Sequence, residues 1–293
     1  MKIAVAKYPI KAAASFAAFA ERQRRLLHQA AAAGARIAVL PEYLALELAA
    51  CFDADIHRDL ARSLAAIQDF RDDWRQLFAG LARETGMHIQ AGTFLLQIDK
   101  AIPRYRNRAD LFTADGRELW QDKLQLTGFE KQAGMIDPGD LLKVFALEGM
   151  RIGIAVCYDS EFPLPVRAQR EAGMRLLLVP SCTDTAAGAT RVRTGCLARA
   201  LENRCYVAQS VTAGTAKWSP ALDINTGEAG IYAPMDLGFP ADGILAQSKD
   251  AKVWTMAEID PGALDSNSAN AQVGIDQDWP GQWRPGLQRA VVE

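Results

Sequence analysis

The sequence predicts an α/β fold in which helices alternate with strands that pair in parallel. Three observations carry that prediction. The chain opens as strand, helix and strand in MKIAVAKYPI, FAAFAERQRRLLHQAAAAG and RIAVL, an order that favours parallel pairing. The same alternation returns past the middle of the chain, in IGIAV, VRAQREAG, RLLLVP and the helix before CYVAQSV. Several of these strands are short, unbroken apolar runs, as expected of strands covered on both faces.

Taken in order, Ser15 caps a first helix whose Phe16, Phe19, Leu26, Leu27 and Ala30 approximate one apolar face, and Gly34 stops it. RIAVL ends at Pro41-Glu42-Tyr43. The polar segment from Asp53 to Arg62 reads as a loop, followed by a helix over 69–85 with Trp74, Leu77, Phe78 and Leu81 inward, and by the strand HIQAGTFLLQ. From Asn107, two short runs flank Ala114-Asp115-Gly116 and read as an antiparallel hairpin, with Lys123 where the second run ends. KVFAL and the turn Glu148-Gly149 lead into RIGIAVCYDSEFP. There Cys157 closes a buried run, and Pro163 and Pro165 mark the first turn of a helix that ends at Gly173. After RLLLVP, Gly188 to Arg204 reads as a helix. Gly230-Ile231-Tyr232 and Ile244-Leu245 form a hairpin with a long tip, and VWTMAEID is a closing strand. One domain over 1–260 is the simplest organisation. The remainder, 261–293, is too polar for a core element yet carries Trp279 and Trp283, so it reads as an arm lying on the domain or on a partner subunit.

Bulk composition narrows the function. The 293 residues are 49% hydrophobic and 23% charged with a net charge of −2, which supplies no basic field for nucleic acid or an anionic membrane. Glu42 and Glu47 interrupt the most apolar segment, and the N-terminus reads as a strand with no leader, so a cytoplasmic protein is expected. Five cysteines, an odd number with no C-x-x-C spacing, argue against a disulfide framework and a zinc knuckle. Three histidines leave little room for histidine-based mechanisms.

Glu42, Lys123 and Cys157 each end a strand. If those strands are neighbours, an acid, an ammonium and a thiol meet on one rim, where open α/β sheets bind ligands. Each has an ordinary alternative: a solvated acid, a surface lysine, a packed thiol. Helix amides following Cys157 are expected to lower its pKa.

At these residues the chain resembles a known family. LPEY at 40–43, DKLQLTGFE at 122–130 and GIAVCYDSEFP at 153–163 are similar to the three signature segments of the nitrilase superfamily of carbon–nitrogen hydrolases. ADLFTADGRELWQDK and LARALENRCYVAQS extend the likeness over most of the chain. The resemblance implies a four-layer α-β-β-α sandwich of two mixed sheets, no cofactor, and a catalytic Glu42, Lys123 and Cys157 with a further glutamate at Glu130. Many relatives have proline where this chain has Gly128, which predicts a looser loop.

The chemistry is coherent without the name. Cys157 would attack an amide carbon, Glu42 would move the proton if burial raises its pKa, and Glu130 would aim Lys123. Lys123 and the Tyr158 N–H would hold the oxyanion, each such donor contributing about 2.7–4 kcal/mol. Glu161 reads as a helix-start acid with substrate contact as the alternative. Cys182, Thr183 and Asp184 follow RLLLVPS onto the same rim, where one of them, Cys182 or Thr183 foremost, is expected to touch substrate, and Arg191, Arg193 and Arg199 are expected to pair with Glu202 and its neighbours in all but one case. The expected reaction is hydrolysis of a small amide or carbamoyl compound through a thioester by a homodimer or larger oligomer. Nitrile hydrolysis at the same site is an alternative. So is a magnesium-dependent phosphoesterase of similar sandwich fold with Glu42 as a metal ligand.

Overall fold

Strand β1 (Lys2–Pro9) joins the two halves of the molecule. Its alternate residues explain how: Ile3 and Val5 enter one apolar core, while Ala4, Ala6 and Tyr8 enter another. The computed structural model describes residues 1–99, 101–249, 252–266, 268, 270–287 and 289–292.

Helix α1 (Phe16–Ala32) begins where Ser15 Oγ accepts the Ala18 N–H, and it buries Phe19, Leu26, Leu27 and Ala30. It leads to β2 (Ile37–Leu40), parallel to β1 as the opening pattern predicts. The segment expected to be a loop holds two short helices instead, α2 (Ala54–His57) and α3 (Leu60–Ala66). Asp59 accounts for the second by accepting the Arg62 N–H at 2.8 Å, and Leu64 anchors it in the core. Helix α4 (Arg71–Thr85) then seats Trp74 and Phe78 against β3 (His88–Asp99), which lies parallel to β2. Full burial of each such side chain contributes about 1.5–3 kcal/mol.

β3 runs antiparallel to β4 (Arg104–Phe112), which starts earlier than the Asn107 expected, and β4 forms the hairpin with β5 (Glu118–Asp122). After α5 (Gly128–Ala133) comes a second hairpin of β6 (Val144–Leu147) and β7 (Met150–Ile154). Helix α6 (Pro163–Glu171), β8 (Leu176–Ser181), α7 (Ala186–Asn203) and β9 (Tyr206–Thr215) complete the second alternating unit, with β7, β8 and β9 parallel. The short strand β10 (Ile224–Asn225) pairs with β9, β11 (Gly230–Tyr232) pairs with β9 and β12 (Ile244–Gln247), and β13 (Trp254–Glu258) returns antiparallel to β1.

The fold is therefore α/β with mixed strand directions. Where the resemblance implies two sheets, the ladders form one continuous order, β5-β4-β3-β2-β1-β9-β8-β7-β6. The link is β1, which pairs with β2 through Ile3–Val5 and with β9 through Lys7–Pro9. One core packs β1, β2 and β3 against α1 and α4; the other holds Ile3, Val5, Ile37 and Val39 with Ile152, Ile154, Leu176 and Val207.

The last segment includes α8 (Pro261–Ser266) and α9 (Ile275–Asp278). It touches the rest of the chain through buried Leu264, the Asp265–Arg175 and Asp276–Arg170 ion pairs at 2.8 Å each, and Trp279, whose ring lies 4.1 Å from the Arg167 guanidinium carbon. Residues 267, 269, 288 and 293 of the expected arm lie outside the described residues.

Candidate active site

The site is assembled at strand ends. β2 stops at Leu40, and the chain turns through Pro41-Glu42-Tyr43, with Tyr43 in the left-handed region at φ 61°. Thr93 Oγ1 accepts the Tyr43 N–H at 2.8 Å, and Gly92 lets β3 pass close by, since a Cβ there would lie 2.3 Å from the Pro41 carbonyl oxygen. Lys123 directly follows β5, its N–H donating to the Asn107 carbonyl at 2.9 Å. Glu130 sits in the first turn of α5, where it and Thr127 form a reciprocal capping box. Cys157 begins the 3-10 turn Cys157–Glu161 that follows β7.

Tertiary packing closes these positions into one network. The Lys123 ammonium lies 2.8 Å from Glu42 Oε1 and 2.8 Å from Glu130 Oε2, and all three side chains are at most 1% exposed. Burial alone would strip the lysine of its proton, but Glu42 and Glu130 outweigh it and hold its pKa well above the usual value. Burial raises Glu42 above the ordinary carboxylate range against the pull of Lys123, with Glu130 adding to the rise. Glu130 is buried too, yet Lys123, the Thr127 N–H and the Tyr43 hydroxyl keep it below that range. One carboxylate is thus poised to take up a proton while the other stays ionised.

The thiol behaves differently from the sequence expectation. Burial, reinforced by Glu42, lifts the Cys157 pKa well above that of a free thiol, with Lys123 opposing. A five-residue 3-10 turn offers too little aligned amide dipole to offset that desolvation. The resting group is a thiol that donates to the Cys182 carbonyl at 3.5 Å and shares the cavity with Glu42, the candidate base. Cys157 has φ 48°, a left-handed conformation that costs a non-glycine residue about 1–2 kcal/mol. Several bonds hold it there. Asp159 accepts the N–H groups of Val156 (3.1 Å), Leu124 (3.1 Å) and Gln125 (2.7 Å), tying the cysteine turn to the lysine loop, and Ser160 Oγ donates to the Cys157 carbonyl at 2.7 Å. Gly195 lets α7 press against the turn, since a Cβ there would lie 2.8 Å from the Ser160 carbonyl oxygen.

Glu42, Lys123 and Cys157 line one cavity of about 270 Å³. Tyr158, Glu161, Cys182, Thr183, Asp184 and Arg191 line it as well. Glu130 lies behind, reaching the cavity through Lys123. The Thr183 hydroxyl is committed to the Thr226 carbonyl at 2.5 Å, and the Cys182 thiol to Asn225 Oδ1 at 3.3 Å. Of the helix arginines, only Arg199 pairs with Glu202, at 2.7 Å; Arg191 faces Glu161 at 3.4 Å instead, and Arg193, with its Nε buried and unpartnered, shows no ion pair among the described residues, so one arginine meets the expectation rather than two.

Three participants escaped the sequence reading. Asn107 Nδ2 donates to Glu42 Oε1 (2.8 Å) and to Glu130 Oε1 (3.1 Å), an orientation that leaves its Oδ1 buried without a partner. Tyr43 donates its hydroxyl to Glu130 Oε1 at 2.8 Å, and Asp159 is the tie already described. Strand parity was the available signal for Asn107: Tyr105, Asn107 and Ala109 alternate with Arg106 and Arg108, so the amide had to face inward with two apolar neighbours.

The fold thus brings a buried acid, ammonium and thiol to one cavity. The chain belongs to the carbon-nitrogen hydrolase family, since the family model Carbon-nitrogen hydrolase matches residues 2–253. It is 30% identical over 274 residues to the Probable hydrolase YhcX of Bacillus subtilis, covering 93% of this chain and 52% of that protein, so it spans about half the length of that relative. It is 24% identical over 247 residues to the Omega-amidase NIT2-A of Xenopus laevis, covering 82% of each. Among solved structures, Saccharomyces cerevisiae Nit3, a member of branch 10 of the nitrilase superfamily, superposes with a TM-score of 0.72 at 18% identity over 93% of this chain and 94% of that one. That likeness establishes the fold. Among the described residues no helix is long and apolar enough to cross a membrane.

Proposed function

We propose that the protein hydrolyses the C–N bond of a small amide through a thioester on Cys157. The observation that carries this reading is the Lys123 ammonium held 2.8 Å from both Glu42 and Glu130 at the floor of the cavity that Cys157 lines. Glu42, held above the ordinary carboxylate range, takes the thiol proton as Sγ attacks the carbonyl carbon. The oxyanion is met by Lys123 and the Tyr158 N–H, the protonated Glu42 releases the amine, and the same carboxylate then activates water against the thioester. Glu130 and Asn107 position these groups from behind the cavity wall, and Tyr43, which also lines the cavity, donates its hydroxyl to Glu130. The amidase names of relatives favour amides over nitriles. Glu42 is engaged by ammonium and amide donors, which is the environment of a base rather than of a magnesium ligand.

Replacing Cys157 by Ala should lower turnover by about 10⁴-fold or more while leaving the fold intact, and the wild type treated with an amide panel should show an acyl adduct on Cys157 by mass spectrometry. An active Cys157→Ala variant would refute the mechanism. We read the two cores as the interior and one helix-covered face of the four-layer sandwich, residues 1–260 as one hydrolase domain, and the tail as an arm. The exposed Trp283, Leu287 and Val292 of that arm support a homodimer, which light scattering tests; a monomer at micromolar concentration refutes it.

A further inference from the structure

The cavity wall beyond the thiol is acidic. Glu161, Asp184 and Asp223 line it against a single cation outside the reacting set, Arg191. Both basic groups of the cavity already face carboxylates, Lys123 two of them and Arg191 the side chain of Glu161 at 3.4 Å. Asp223 takes a backbone N–H from Ile224 at 2.8 Å, and no ion pair to Asp184 or Asp223, both exposed at the cavity mouth, is found among the described residues. Glu161 closes the 3-10 turn that Cys157 opens, so its backbone is fixed relative to the nucleophile, and its side chain, only 19% exposed, lines the same cavity.

We infer that the substrate carries an ammonium or guanidinium group at the end remote from the scissile amide, and that Glu161 is its main counter-charge. This rests on the amide-hydrolysis reading above. A remote carboxylate would enter a wall already richer in negative charge, where it is repelled, most by the largely buried Glu161. A remote cation would instead take over the half-made partnership of Glu161, releasing Arg191, which is 60% exposed and free to turn into solvent.

The test compares 5-aminopentanamide, pentanamide and glutaric acid monoamide by kcat/KM in the wild-type enzyme and by calorimetric binding to the Cys157→Ala variant. The ammonium amide should exceed the carboxylate amide by about tenfold in both measurements. The ratio should shrink with added salt and fall several-fold in Glu161→Gln, whereas Arg191→Gln should widen it. Preference for the carboxylate amide, or equal use of all three, overturns the inference while leaving amide hydrolysis standing. A ratio unchanged in Glu161→Gln overturns the role of that residue. Preferential binding of the ammonium amide with no turnover of any of the three supports the charge assignment and sinks the hydrolysis reading instead.

Discussion

Replacing Asn107 by Leu, a side chain of similar size, removes the amide that donates to Glu42 Oε1 at 2.8 Å and to Glu130 Oε1 at 3.1 Å. The two glutamates are not affected equally. Glu130 keeps Lys123, Tyr43 and Thr127, but Glu42 is left with Lys123 as its charged donor. A hydrogen bond to a charged group contributes about 1.5–3 kcal/mol. Its loss raises the Glu42 pKa beyond the rise that burial already causes. Because Glu42 acts as a base in its ionised form, the acid limb of kcat/KM should move to higher pH. Activity below the limb should fall about 10–100-fold and recover as the pH is raised. The assay is a pH profile of kcat/KM with a hydrolysed amide, alongside circular dichroism to establish that the variant is folded. An unmoved acid limb with equal loss at every pH would show that Asn107 serves only to place Glu42, and would refute the electrostatic account.

Other outcomes follow from groups outside the reacting set. Glu47, buried against Tyr8 and Arg22, has its pKa raised by burial from 4.5 to about 7. A folded pKa above the unfolded one means the native state holds the proton more tightly. Its contribution to stability is therefore full below about pH 4.5 and is lost as the pH rises through about 7, a change of about 3 kcal/mol. Urea unfolding at pH 5 and pH 8 should show Glu47→Gln losing less stability across that interval than the wild type, and identical pH dependence in the two proteins would contradict this. Gly128 is the first residue of α5, and a Cβ added there meets nothing within 4 Å. Gly128→Pro should then raise stability by about 0.4–1 kcal/mol by restricting the unfolded chain, with turnover retained. A lower melting temperature would show that the turn needs the freedom of glycine.

The sequence alone determined the alternation of strands and helices, since apolar runs bounded by caps, glycines and prolines report local burial, and neighbours within a few residues decide those features. It also placed Glu42, Lys123 and Cys157 at strand ends, because a strand that stops before a polar residue leaves that residue on a rim. Helix α3 was missed because a cap at Asp59 outweighed a polar composition. Asn107 and Asp159 were missed because their roles are relations across the chain: one amide bridging two carboxylates that lie 65 and 23 residues away, and one carboxylate gathering amides from the lysine loop and its own turn. The protonation states were decided by tertiary structure for the same reason. The helix-amide argument for Cys157 is local and predicts a lowered pKa, whereas burial and the approach of Glu42 act through space and raise it. Likewise the acidic wall of the cavity exists only once the turn after β7, the start of α7 and the loop before β10 converge, since no two of Glu161, Asp184 and Asp223 are neighbours in sequence.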